Sequence, residues 1–275
     1  MRTQTFVLDS RYPDCTLTTY IHEPVLVPTR RAIVVCPGGG YAGLSDRESE
    51  IVALQYFAAG LNAFVLRYSV GKNAANYAPL VESALAVKHI REHAEDYRID
   101  PDYVFIGGFS AGGHCAAMCG VYWNHPVVRE ALGIDRGEAP EGINRPTATI
   151  LCYPVITGGQ FAHRGSINNL CGCSSAGTEG AEIFSLELHV DRTTPPSFIW
   201  HTFNDGSVPI QNSLLYAEAL AAARVPFEYH VYPNGPHGLS LCNSETSMNN
   251  PGFENPVCEG WLKESIRYVK NFKTK

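Results

Sequence analysis

Six short runs of apolar residues punctuate the chain, at 32–36, 62–67, 103–109, 149–153, 197–202 and 227–231. Runs of this length, apolar on consecutive positions, fit strands buried on both faces, as in a parallel sheet. Between them, the apolar residues of 77–93, 111–122, 209–223 and 259–272 recur near the 3.6-residue helical period. Ser45-Asp-Arg-Glu48 has the spacing of a capping box ahead of "IVALQYFAAG", and Gly60 stands where such a helix would stop. Strand alternating with helix predicts an α/β fold, a mainly parallel central sheet with helices on both faces.

Two stretches resist the alternation, 124–146 and 158–191, and both are rich in Gly, Ser and Pro. Excursions from an α/β sheet often build pocket walls or caps, and the substrate boundary is expected there. At 275 residues, with 45% hydrophobic and 17% charged positions, the chain is expected to fold throughout as one domain over residues 1–275. A net charge of −6 lacks the basic footprint that nucleic acid or an anionic membrane surface requires, so neither is an expected partner. No stretch approaches the roughly 18 apolar residues of a membrane span, and the amino terminus lacks an apolar signal core. Nine cysteines, an odd number and several of them inside apolar runs, read as reduced thiols packed in the core. With no Asn-x-Ser/Thr acceptor anywhere, a cytoplasmic protein is the expectation.

Four places carry chemistry. Gly108-Phe-Ser110-Ala-Gly112 is a G-x-S-x-G turn between a predicted strand and a predicted helix. The flanking glycines leave room for a tight corner that lifts the hydroxyl toward a helix amino terminus, where developing negative charge is favoured. A lone serine is a poor nucleophile and needs a base, an orienting acid and an oxyanion hole. "VVCPGGGYAG" supplies backbone amides, and those of Gly39, Gly40 and Ala111 are the candidate oxyanion donors. Asp205, after the run 197–202, is the candidate acid, although Asp205-Gly206 is also an ordinary turn dipeptide and Asn204 or Asp205 could shape the loop alone. His237, in the Gly/Pro-rich "YPNGPHGLS", is the candidate base. Ser110, Asp205, His237 is the chain order of α/β-hydrolases. His114 is nearer in sequence, but its helical position points away from an exposed hydroxyl, and it reads as structural. Cys171-Gly-Cys173 with His163 lacks the second cysteine pair of a zinc pattern, so no metal site is expected.

On these motifs the chain resembles the α/β-hydrolase superfamily, and more closely bacterial esterases grouped with acetyl xylan and feruloyl esterases. "CPGGGY", "SDRESE", "GFSAGGH", "PPSFIWHTFNDGSVPIQNSLLYAEAL" and "YPNGPHGLSL" carry the resemblance, which covers the chain from about Arg31 onward. It implies a serine esterase working through an acyl-enzyme without a cofactor: Ser110 the nucleophile, His237 base and then acid, Asp205 holding the imidazolium. It implies further that Tyr41 lines the substrate pocket. The His-x-x-x-Asp-x-x-Val-Pro pattern falls on Asp205, and many relatives carry an acid where this chain has Asn204. Pro37 departs from the histidine that precedes the glycines in hormone-sensitive-type lipases. The expected substrate is a small-molecule or oligosaccharide ester, acetyl groups on xylan-derived fragments foremost, and a homodimer is a compatible assembly. An arylformamidase or other small-acyl amidase could use the same residues, and a non-catalytic α/β-hydrolase-fold binding protein is the reading from a different class.

Overall fold

The computed structural model describes residues 1–23, 27–172 and 181–274. Its strands are β1 (Arg2–Val7), β2 (Thr16–Ile21), β3 (Arg30–Cys36), β4 (Asn62–Arg67), β5 (Ile99–Phe109), β6 (Thr149–Cys152), β7 (Ser197–Thr202) and β8 (Phe227–Tyr232). They form one sheet in the order β1-β2-β4-β3-β5-β6-β7-β8. β2 pairs antiparallel with both β1 and β4, and every other neighbour is parallel. The six apolar runs are β3 to β8. β1 and β2 went unforeseen because β1, Arg-Thr-Gln-Thr-Phe-Val, is largely exposed at the sheet edge and β2 is half threonine. Their strand conformation comes from pairing, with Arg2 opposite Ile21 and Val7 opposite Thr16.

The helices are α1 (Glu50–Ala58), α2 (Ala78–Glu92), the single turn α3 (Ala94–Tyr97), α4 (Ala111–Val121), α5 (Pro126–Leu132), α6 (Arg164–Cys171), α7 (Gln211–Ala222) and α8 (Trp261–Asn271). α2, α4 and α7 bury Leu80, Val87, Met118, Tyr216 and Leu220 in one apolar cluster. α1 and α8 bury Val52, Tyr56, Trp261 and Val269 in a second. The strands feed both clusters through alternating side chains, Val34 into the first and Ile33 and Val35 into the second, so helices cover the two faces. Cys15, Cys36, Cys115, Cys119 and Cys152 are buried thiols within these clusters.

The two excursions part company. Residues 124–146 contain α5 and pack on α2 and the turn before β2. Arg91 donates to Ile143 O at 2.7 Å and Arg145 O at 2.6 Å, and Arg11 donates to Ala131 O at 3.2 Å. Those contacts cover α2 and do not reach Ser110 or His237, unlike the pocket wall expected there. Residues 158–191 contain α6, whose Asn169 donates to Gly40 O at 2.9 Å and so borders the glycine loop. Residues 173–180 of that stretch, Cys173 included, lie outside the described residues.

Candidate active site

β5 passes into α4 at Ser110, which has φ +53° and ψ −118°, in the left-handed range that a residue with a β-carbon avoids. Backbone bonds hold the corner: Ser110 N–H donates to Cys152 O, and Ser110 O accepts from His114 N–H and Val155 N–H, each at 3.0 Å. Contact distances explain the glycines. A β-carbon on Gly112 would stand 2.1 Å from Cys36 O, and one on Gly108 would stand 2.2 Å from Gly112 O. One on Gly38 would meet Glu48 Oε2 at 2.5 Å and Ser110 Cβ at 3.1 Å. Thus β3, β5 and α4 converge more closely than side chains permit, which presents Ser110 at the carboxyl end of the sheet.

Three segments distant in sequence meet there. Ser110 Oγ lies 2.8 Å from His237 Nε2, and His237 Nδ1 lies 2.6 Å from Asp205 Oδ2. Asp205 follows β7, and its Oδ1 accepts from Ser207 N–H and Val208 N–H, both at 2.9 Å. Burial opposes its ionisation, yet hydrogen bonds from His201 and His237 hold it well below the usual carboxylate range. Fixed as an anion, Asp205 orients Nδ1–H of His237 toward itself and leaves Nε2 to accept from Ser110. His201, fully buried, was legible only as the first letter of the His-x-x-x-Asp pattern. Its Nε2 lies 3.0 Å from Val208 O and 3.3 Å from Asp205 Oδ2, and its Nδ1 lies 2.7 Å from Ser213 Oγ. Asn204 does a different job, its Oδ1 accepting from Gly235 N–H at 2.8 Å and tying the histidine loop to the end of β7.

The glycine loop after β3 lies against Ser110, with Gly39 at φ +131° and Gly40 at φ +65°. Among the described residues, no protein acceptor takes the amides of Gly39, Gly40 or Ala111. Tyr41 departs from the expectation that it lines the pocket. At φ +57° its side chain turns inward, fully buried, and its hydroxyl lies 3.0 Å from His114 Nδ1. His114 is structural: its Nε2 lies 3.0 Å from Phe184 O, and burial lowers its pKa to about 4. Among the described residues, His163 is not gathered into a cluster of potential metal ligands. Its Nδ1 accepts from Ser166 N–H at the start of α6, and its Cε1 would sit 3.8 Å from a β-carbon on Gly40, at the border of the site.

Glu48 also departs from its expected place. Ser45 precedes a 3-10 turn, Asp46–Glu48, with no side-chain cap, and the Glu48 carboxylate turns inward to Gly38 N–H and Tyr153 O–H. The local pattern of a capping box cannot register that two donors from other segments, Gly38 N–H and Tyr153 O–H, wait in the interior. Tyr153, at the end of β6, stacks edge-on to His237 with ring centroids 5.1 Å apart.

A mainly parallel sheet carrying this Ser–His–Asp chain at its carboxyl end defines an α/β-hydrolase. More narrowly, the chain belongs to the BD-FAE family, whose model matches residues 21–220, a span that includes Ser110 and Asp205. It is 37% identical over 237 residues to an endo-1,4-beta-xylanase B of Butyrivibrio fibrisolvens, covering 83% of this chain and 35% of that protein. To an acetylxylan esterase of Xylanibacter ruminicola it is 29% identical over 221 residues, covering 78% of this chain and 42% of the other. The chain therefore spans well under half the length of either relative. Among solved structures, an acetyl ester-xyloside bifunctional hydrolase from Caldicellulosiruptor lactoaceticus superposes with a TM-score of 0.77 at 34% identity, over 93% of this chain and 87% of that one.

Proposed function

We propose that the protein is a serine carboxylesterase that removes small acyl groups, acetyl foremost, from xylan-derived carbohydrate in the cytoplasm. The observation that carries this reading is the continuous hydrogen-bonded chain from Ser110 Oγ through His237 to Asp205, at 2.8 and 2.6 Å. Ser110 Oγ attacks the ester carbonyl carbon as its proton passes to His237 Nε2. The carbonyl oxygen becomes an oxyanion, for which the amides of Gly39, Gly40 and Ala111 are the donors, beside the amino terminus of α4. Collapse breaks the bond to the alcohol, which leaves with the proton from His237, and Ser110 retains the acyl group. Water, deprotonated by His237, then attacks the acyl-enzyme and releases the acid. Asp205 stays ionised throughout and stabilises the imidazolium without taking its proton.

Acetate as the acyl group and xylan as its carrier draw on the relatives, two of which have names that refer to acetyl esters. The test is acetate release from acetylated xylo-oligosaccharides, with folded Ser110→Ala as the blank. Serine-dependent release is expected. Release of formate from N-formyl arylamines at a higher kcat/KM would replace the ester reading with an amidase, and no turnover of either would overturn both.

A further inference from the structure

Glu48 is a fully buried carboxylate that the mechanism above does not use, and it stands where the glycine loop and the histidine loop approach each other. Its Oε2 accepts from Gly38 N–H at 2.9 Å, and its Oε1 accepts from Tyr153 O–H at 2.7 Å. The Tyr153 oxygen in turn accepts from Ser240 N–H at 2.8 Å, three residues after His237. The turn carrying Glu48 grips the same loop twice more, because Arg47 O accepts from Ser240 Oγ–H and Arg47 Nε donates to Thr246 O. On its other side, Ser45 N–H donates to Gly38 O at 2.9 Å.

We propose that Glu48 is a positioning residue, a double acceptor that sets the glycine-loop amides and the His237 loop at a fixed separation across Ser110. This rests on the ester-hydrolase reading, since it assigns Glu48 the task of keeping oxyanion donors and base in register through both half-reactions. The chemistry requires a carboxylate. Both neighbours are donors, and an amide has one acceptor and one donor end. Turned one way, glutamine sets its NH2 against Gly38 N–H; turned the other, it leaves Tyr153 O–H without an acceptor. Aspartate, one methylene shorter, cannot span the two contacts. The site also explains why residue 38 is glycine, because a β-carbon there would collide with Glu48 Oε2.

The experiment compares Glu48→Gln, Tyr153→Phe and the double variant with the native protein on 4-nitrophenyl acetate, alongside inhibition by a small alkylboronic acid that forms a tetrahedral serine adduct. Both substitutions preserve volume, and circular dichroism reports the folded fraction. Each single variant is expected to lose kcat by about 10- to 100-fold, as small displacements of catalytic groups do, with KM within about twofold. The boronate should bind more weakly by a similar factor, and the double variant should be no worse than the poorer single one, since both break the same chain. A residue that only fills the core would lower thermal stability and leave kcat per folded molecule unchanged. Native kcat in folded Glu48→Gln, or losses that multiply in the double variant, would overturn the brace while Ser110→Ala remains inactive. Turnover persisting in Ser110→Ala would instead overturn the ester-hydrolase reading, and the brace with it.

Discussion

Removing a single hydroxyl at Ser110 separates the proposed chemistry from the fold. Ser110 makes its structural bonds through backbone atoms, so Ser110→Ala should keep the fold and lose kcat by about 10⁴-fold or more, measured against a folded blank. Asp205→Asn should cost a similar factor, because an amide nitrogen facing Nδ1 favours the wrong tautomer of His237; near-native turnover would remove Asp205 from its role. Gly112→Ala should destabilise by about 3 kcal/mol, since a β-carbon 2.1 Å from Cys36 O forces β3 and α4 apart, and urea denaturation reads the change. Ser110, Asp205 and His237 were legible because each sits in a turn motif with a characteristic composition. Tyr41 was not, since its left-handed backbone decides where its ring goes. Glu48 was misread for a related reason: its spacing from Ser45 is that of a cap, and its partners, Gly38 and Tyr153, lie in other segments.

Between elements, buried polar side chains act as ties, and one of them should give a pH signature. Glu82 on α2 is fully buried and accepts from Ser69 N–H at 2.8 Å and from Ser69 Oγ–H, just beyond β4. Burial, only partly offset by those bonds, raises its pKa from an ordinary 4.5 to about 7. The native state therefore holds a proton that the unfolded state releases across that window. Stability from this group is complete below pH 4.5 and declines as pH rises through 7, by about 3 kcal/mol in all. Glu82→Gln keeps an acceptor for Ser69 N–H and replaces the bond donated by Ser69 Oγ–H with one from its own NH2 to Ser69 Oγ. Urea unfolding at pH 5 and pH 8 should show that the variant lacks this decline and exceeds the native protein at pH 8. The same scale shows where pattern reading stops. β3 to β8 announce themselves by apolar runs, whereas β1 and β2 are strands through their register with each other and with β4.

For the whole molecule, the second apolar cluster links the sheet to the active-site loops through Trp261. Its ring stacks on Trp200 of β7 with centroids 5.3 Å apart and meets Phe109 edge-on at 5.7 Å, and its Nε1–H donates to Ser240 O at 2.9 Å. Trp261→Ala should therefore cost about 3–5 kcal/mol of unfolding free energy and also lower kcat at temperatures where the variant is folded. Loss of stability with native kcat would show that α8 anchors the sheet without steadying the histidine loop. Sequence by itself determined the α/β class, the parallel strands β3 to β8, the helices that cover them and the three residues that meet at the carboxyl end of the sheet. These follow from local periodicity and from turn compositions that few other conformations can use. Tertiary structure alone decided where other groups are placed: Glu48 beneath the glycine loop, Tyr41 turned into the core, and residues 124–146 laid on α2. Each depends on a donor, an acceptor or an apolar face contributed by another segment, and such pairings leave no period or motif in the segment that receives them.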